Sequence, residues 1–191
     1  MLVSKNPYNQ KIVCEKHEHS SSDVYKILVN SHSQYLIWKN FSVEHRFEVL
    51  YEVGQNLKKN KDRAAFLITQ EMGKPITQSI FEIEKCLLLV KYYCNNAKEI
   101  LKNELIKETD ERGYIRFDPL GVILGVMPWN FPFWQVFRFA IPAILSGNVV
   151  IIKHASNVSG CCIMIEKIFS ENIDYKILFP LIITHSKIVM S

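Results

Sequence analysis

Two runs that are apolar almost throughout, Val122-Ile123-Leu124-Gly125-Val126-Met127 and Asn148-Val149-Val150-Ile151-Ile152, constrain this chain more than any other feature. Neither alternates apolar with polar residues, so each suits a strand covered on both faces, as in parallel sheets. Between them, Phe131 to Leu145 is long enough for a helix. Pro132 stands near its start, where a missing N–H costs nothing, and Gly147 lies just past its end. Pro142 is expected to kink the last turn. Strand, helix and strand make a βαβ unit with a right-handed crossover. Ser159 to Asn172 reads as a second helix, through Ile163, Ile165, Ile168 and Phe169, and Ile177 to Ile183 as a third strand. The fold class is therefore α/β, with half of a doubly wound sheet.

Upstream the period is helical. Val43, Phe47, Leu50, Val53 and Leu57 fall at three- and four-residue steps, with Ser42 placed to cap the helix start. A second helix from about Asp62 should stop at Met72, because Gly73 suits a left-handed cap and Pro75 cannot continue the helix. Ile80, Ile83, Leu87, Val90, Cys94, Ala97 and Leu101 then keep one stripe on a helix of about seven turns. Cys86 and Cys94 lie on or near that stripe and read as packing residues. The first twenty or so residues, with a turn signal at Asn6-Pro7-Tyr8-Asn9, form a short ribbon or stay loosely ordered. Lys102 to Gly113 reads as a charged connector, and Tyr114 to Phe117 as a short strand. The division is thus 1–118, ribbon and helices, and 119–191, the α/β half.

Composition serves mainly to exclude. At 48% hydrophobic and 22% charged the chain is globular. Its +4 net charge is spread along the length, without the clustered basic stripe that nucleic-acid binding needs. Between Asp118 and Arg138 no charge occurs, about the length of a membrane span, but Pro119, Pro128 and Pro132 interrupt it; this reads as buried core. Five cysteines at irregular spacing, with no CxxC pair and no signal peptide, point to a reducing cytoplasm. His17 and His19 flank Glu18, but no further ligand stands nearby, so no metal is expected.

Ligands of open α/β sheets bind outside the carboxyl ends of the strands. Two loops qualify, Pro128 to Pro132 and Lys153 to Ser156. The first lacks a GxGxxG fingerprint, and Lys153 stands where an acidic residue would often hold a ribose. Read from the residues alone, Asn130 is either a free amide donor or a turn asparagine. Trp129 either lines a cleft or packs, and Lys153 either binds a ligand or lies in solvent.

Pro128-Trp129-Asn130-Phe131-Pro132, then Pro142-Ala143, Gly147-Asn148 and Ile151-Ile152-Lys153, resemble the signature of NAD(P)-dependent aldehyde dehydrogenases. Pro119-Leu120-Gly121-Val122 and Glu71-Met72-Gly73-Lys74-Pro75 resemble that family too. Lys153-His154-Ala155-Ser156-Asn157-Val158, with His154 where proline is common, is similar to the succinate-semialdehyde dehydrogenase branch. So is Phe133-Trp134-Gln135-Val136-Phe137-Arg138. The resemblance implies an incomplete Rossmann-like cofactor-binding domain preceded by N-terminal helices. It implies that Asn130 stabilises the oxyanion of a thiohemiacetal. Met127, Pro128, Trp129, Lys153, Ala155 and Ser156 would then hold NADP or NAD. Many NAD-preferring members carry glutamate at the Ser156 position; a hydroxyl beside Lys153 favours NADP.

The resemblance also implies that the catalytic thiol, the general-base glutamate and a second glycine-rich loop would follow the third strand. None of the five cysteines has the expected nucleophile context, so activity as an enzyme stays open. Three readings remain: a remnant inactive alone, one chain of a split dehydrogenase completed by a separate chain carrying the catalytic half, or a non-catalytic NAD(P)-binding module. In the chain by itself, Val122 to Met127, apolar on both faces, is expected at an open sheet edge.

Overall fold

The N-terminal residues form the ribbon. In the structure, a computed structural model that describes residues 1–106 and 113–184, β1 (Leu2–Lys5) pairs antiparallel with β2 (Ile12–Lys16). Asn6 opens the turn between them, its Oδ1 accepting the N–H of Tyr8 at 2.9 Å. The next helix, α1 (Ser21–Trp38), has no counterpart in the expectations from sequence. Its start is a capping box: Ser20 Oγ accepts the Asp23 N–H while Asp23 accepts the Ser20 N–H. Trp38 at its end is fully buried and donates from Nε1 to the Ile144 carbonyl at 2.9 Å.

Three further helices follow as the spacing requires. Ser42 caps α2 (Val43–Lys59) through the His45 N–H. Gly73, at φ 78°, ends α3 (Lys61–Met72) in the left-handed cap that a side chain would strain. The long stripe becomes α4 (Ile76–Ile100), with Ile83, Cys86, Val90, Cys94 and Ala97 buried. The expected connector contains a strand of its own: β3 (Glu104–Ile106) pairs with β4 (Gly113–Ile115) in an exposed hairpin. The remainder of that connector, 107–112, lies outside the described residues.

The α/β half is built as read. β5 (Val122–Met127), α5 (Pro132–Leu145, with Pro132 in its first turn) and β6 (Val149–His154) make the βαβ unit. α6 (Ser159–Ser170) and β7 (Leu178–Pro180) extend it. β7 is shorter than the expected Ile177–Ile183. The parallel order is β5-β6-β7, and β5 forms an open edge among the described residues, with Leu124 and Val126 half exposed. Asn148 ties the unit together: its Oδ1 accepts the Gly121 N–H at 2.9 Å and its Nδ2 donates to the Ala143 carbonyl at 3.0 Å. α1 lies against all three strands, while α5 and α6 sit between the sheet and α2, α3 and α4. No described helix is long and apolar enough to cross a membrane.

One boundary matters for the site. β6 continues two residues beyond Ile152, placing Lys153 opposite Val126 and His154 opposite Met127 in the parallel register. Both residues are thereby drawn into the sheet and buried.

Candidate functional site at the strand ends

β5 and β6 end side by side, so the loops that follow them share one edge of the sheet. Met127, Pro128, Trp129 and Asn130 stand on the first, Lys153, Ala155 and Ser156 at the second. These are the residues singled out from sequence, and the register brings their two segments together. Among the described residues the Asn130 side chain is exposed and has no hydrogen-bond partner, so it is not the self-satisfied turn asparagine. Trp129 is 51% exposed and lies outside the packed core. A cavity of 430 Å³ lies beside Asn130, with Phe81, Phe131 and Trp134 for walls and Gln78, Lys85 and Gln135 as polar groups.

Lys153 departs furthest from its bland reading. Only 3% of it is exposed, and no acidic side chain pairs with it among the described residues. Burial pulls its pKa below the ordinary lysine value. A buried ammonium without a counter-charge is costly, and a ligand bringing hydroxyl or anionic oxygens to it would relieve that cost. Ser156, half buried, opens the single tight turn Ser156–Val158 that leads into α6.

Sequence reasoning did not find the groups that hold this framework. Helix N-termini in doubly wound folds commonly serve as anion sites. Here the first turns of α5 and α6 are taken by the protein's own carboxylates. Glu82, from α4, accepts the N–H groups of Phe133 at 2.9 Å and Trp134 at 3.0 Å, and its other oxygen pairs with Lys74 at 2.5 Å. Glu71, from α3, accepts the N–H groups of Gly160 and Cys161, both at 2.8 Å, and the hydroxyl of Ser4. The N–H groups at the start of α5 are thus already paired with a carboxylate. Glu71 and Lys74 lie in a string already noted, but nothing in that string says which distant N–H groups it meets.

His154 is the third such group. Its ring is buried; the Ala155 N–H donates to Nδ1 at 2.9 Å and Nε2 lies 2.9 Å from the Pro132 carbonyl. Burial pushes its pKa down to about 4.

The thiols are not poised for nucleophilic attack. Burial raises the pKa of Cys86, Cys161 and Cys162, the last to about 12, and that of Cys94 to about 11; Cys14 is raised too, by partial burial. All are free. A catalytic thiolate requires the opposite shift. No cluster of three or more metal-binding side chains occurs among the described residues.

Known proteins align with this architecture. The aldehyde dehydrogenase family model matches residues 2–187. A Synechocystis protein named a probable NADP(+) succinate-semialdehyde dehydrogenase is 41% identical over 168 residues, covering 88% of this chain and 37% of its own length. An Escherichia coli succinate semialdehyde dehydrogenase named for NAD(P)+ is 40% identical over 134 residues, covering 70% of this chain and 29% of its own. The crystal structure of a Streptococcus pyogenes succinic semialdehyde dehydrogenase in complex with NADP+ superposes with a TM-score of 0.94 at 26% identity. It covers all of this chain and 42% of that one. The chain therefore spans well under half the length of these relatives.

Proposed function

The chain belongs to the aldehyde dehydrogenase family, and from that premise we propose that it is the cofactor-binding part of an NADP-dependent dehydrogenase for succinate semialdehyde. The observation that carries the cofactor reading is Lys153, buried at the end of β6 with no acidic partner among the described residues. The substrate assignment rests on the names of the relatives. In this reading Lys153 bonds the adenosine ribose and attracts the 2′-phosphate, and Ser156 leaves room for it where a glutamate would repel it. Met127, Pro128, Trp129 and Ala155 line the same cleft. Asn130 offers its free amide to the oxygen that gains negative charge as an aldehyde is attacked. Bound NADP supplies the hydride acceptor. Residues 119–191 carry this site and residues 1–118 support it.

Calorimetry tests the assignment. NADP should bind the full chain more tightly than NAD. Lys153→Ala should weaken NADP by at least about tenfold, the loss expected for a hydrogen bond to a charged group. Ser156→Glu should erase the preference. Tighter binding of NAD that ignored both substitutions would sink the proposal.

The five raised thiols lead to a second expectation: the chain alone does not turn over. The thiolate must come from elsewhere than these cysteines. Incubated with succinate semialdehyde and NADP, the purified chain should give no reduced cofactor above a protein-free blank. Turnover abolished by a thiol reagent would falsify this.

A further inference from the structure

We propose that His154 is a positioning residue, a two-armed strut that sets the Asn130 loop against the Lys153–Ser156 segment. The two arms leave no choice of tautomer. The Ala155 N–H can only donate, so Nδ1 must present its lone pair; the Pro132 carbonyl can only accept, so Nε2 must carry the proton. A neutral imidazole satisfies both groups at once, and it does so in one orientation. Each arm ends on a different wall of the cleft. Pro132 opens α5, two residues beyond Asn130, and Ala155 lies between Lys153 and Ser156. The ring itself is fixed by the β5–β6 register opposite Met127 and is 4% exposed. Backbone hydrogen bonds of the sheet end with these strands, so beyond Met127 the imidazole continues the link between the two segments by side chain. Its neutrality also matters to the neighbour: a second cation next to Lys153 would compete for the same anionic oxygens.

The functional consequence rests on the cofactor reading above, and the test separates the two. Asparagine places an acceptor near the position of Nδ1, and glutamine places a donor near that of Nε2. His154→Asn should therefore keep the Ala155 arm and lose the Pro132 arm, and His154→Gln the reverse. In the full chain, nitrogen-detected NMR of labelled histidine should show the Nε2–H tautomer in the wild type. Backbone amide shifts should move around residues 129–133 in the asparagine variant and around 155–157 in the glutamine variant. NADP binding, measured at a temperature where all three proteins are folded, should weaken about tenfold or more in both variants. A purely structural histidine would lower the melting temperature and leave affinity alone. Unchanged affinity in both variants, or an Nδ1–H tautomer, overturns the strut while leaving the cofactor reading intact. If the wild type fails to bind NADP, the cofactor reading fails. The tautomer and the segregation of the shifts then decide the strut alone, and shifts in the same segment for both variants overturn it.

Discussion

Glu82→Ala is expected to cost about 3–5 kcal/mol of folding stability, the range for breaking a buried ion pair on one side. The carboxylate and its partner Lys74 are almost wholly shielded, with side-chain exposures of 1% and 4%. Truncation leaves an ammonium in the interior, beside the ring of Phe131 at 4.1 Å and without an acidic partner among the described residues. It also orphans the N–H groups of Phe133 and Trp134. Glu82→Gln keeps an acceptor for both N–H groups and should lose less. Lys74→Met combined with Glu82→Gln should recover stability relative to Glu82→Ala, because no uncompensated charge remains. Urea unfolding at pH 7 measures all of these. A loss below about 1 kcal/mol for Glu82→Ala would be that of a surface pair and would contradict the burial.

The second large effect is an acid limb that belongs to His154. In the unfolded chain its imidazole takes up a proton near pH 6.5, whereas burial delays this to about pH 4 in the fold. Between those values the unfolded state binds more protons, so stability is complete above about pH 6.5 and falls as the pH drops towards 4. The gap between 6.5 and about 4, at roughly 1.4 kcal/mol per pH unit, amounts to about 3 kcal/mol. Asp23, Glu44 and Glu171, each held below the ordinary carboxylate range by hydrogen bonds from Ser20, Lys98 and Lys59, begin to act only near the acid end of this window and below it. Stability measured by urea at intervals from pH 7.5 to 4 should thus slope in the wild type and flatten in His154→Gln. An equal slope in both proteins would assign the limb to another group.

What could be read from the residues, and what could not, divides along one physical line. Local geometry was legible. The β5 limits follow from Gly121 and Pro128 bounding an apolar run, and the end of α3 from Gly73 followed by Pro75. The loops at the strand ends were also found, because the position of a ligand in a parallel sheet follows from topology. α1 was missed although Val24, Ile27, Tyr35 and Trp38 recur at three- and four-residue steps with Ser31 between them, because Tyr25, Leu28, Val29, Leu36 and Ile37, all exposed, blur that stripe. The burial of Lys153 was missed because what covers a strand end comes from remote segments. The roles of Glu71, Glu82 and His154 were missed for the same reason, since each depends on a partner that only the fold brings near.

The carboxylate caps have a consequence for how the chain assembles. Glu82 closes the first turn of α5 across 51 residues, and Glu71 that of α6 across 89. Neither helix has a side-chain cap of its own. A polypeptide cut between the helical part and the sheet would start both helices with unpaired N–H groups, and each severed carboxylate would lose its donors. The first turns of α5 and α6 are therefore completed only when α4 and α3 have docked on them. Such long closures slow folding because chain entropy is lost before the contacts form. In this molecule the N-terminal helices are part of the site's scaffold rather than a separate lobe, since they close the turn that begins two residues beyond Asn130 and the one that follows the Lys153–Ser156 segment.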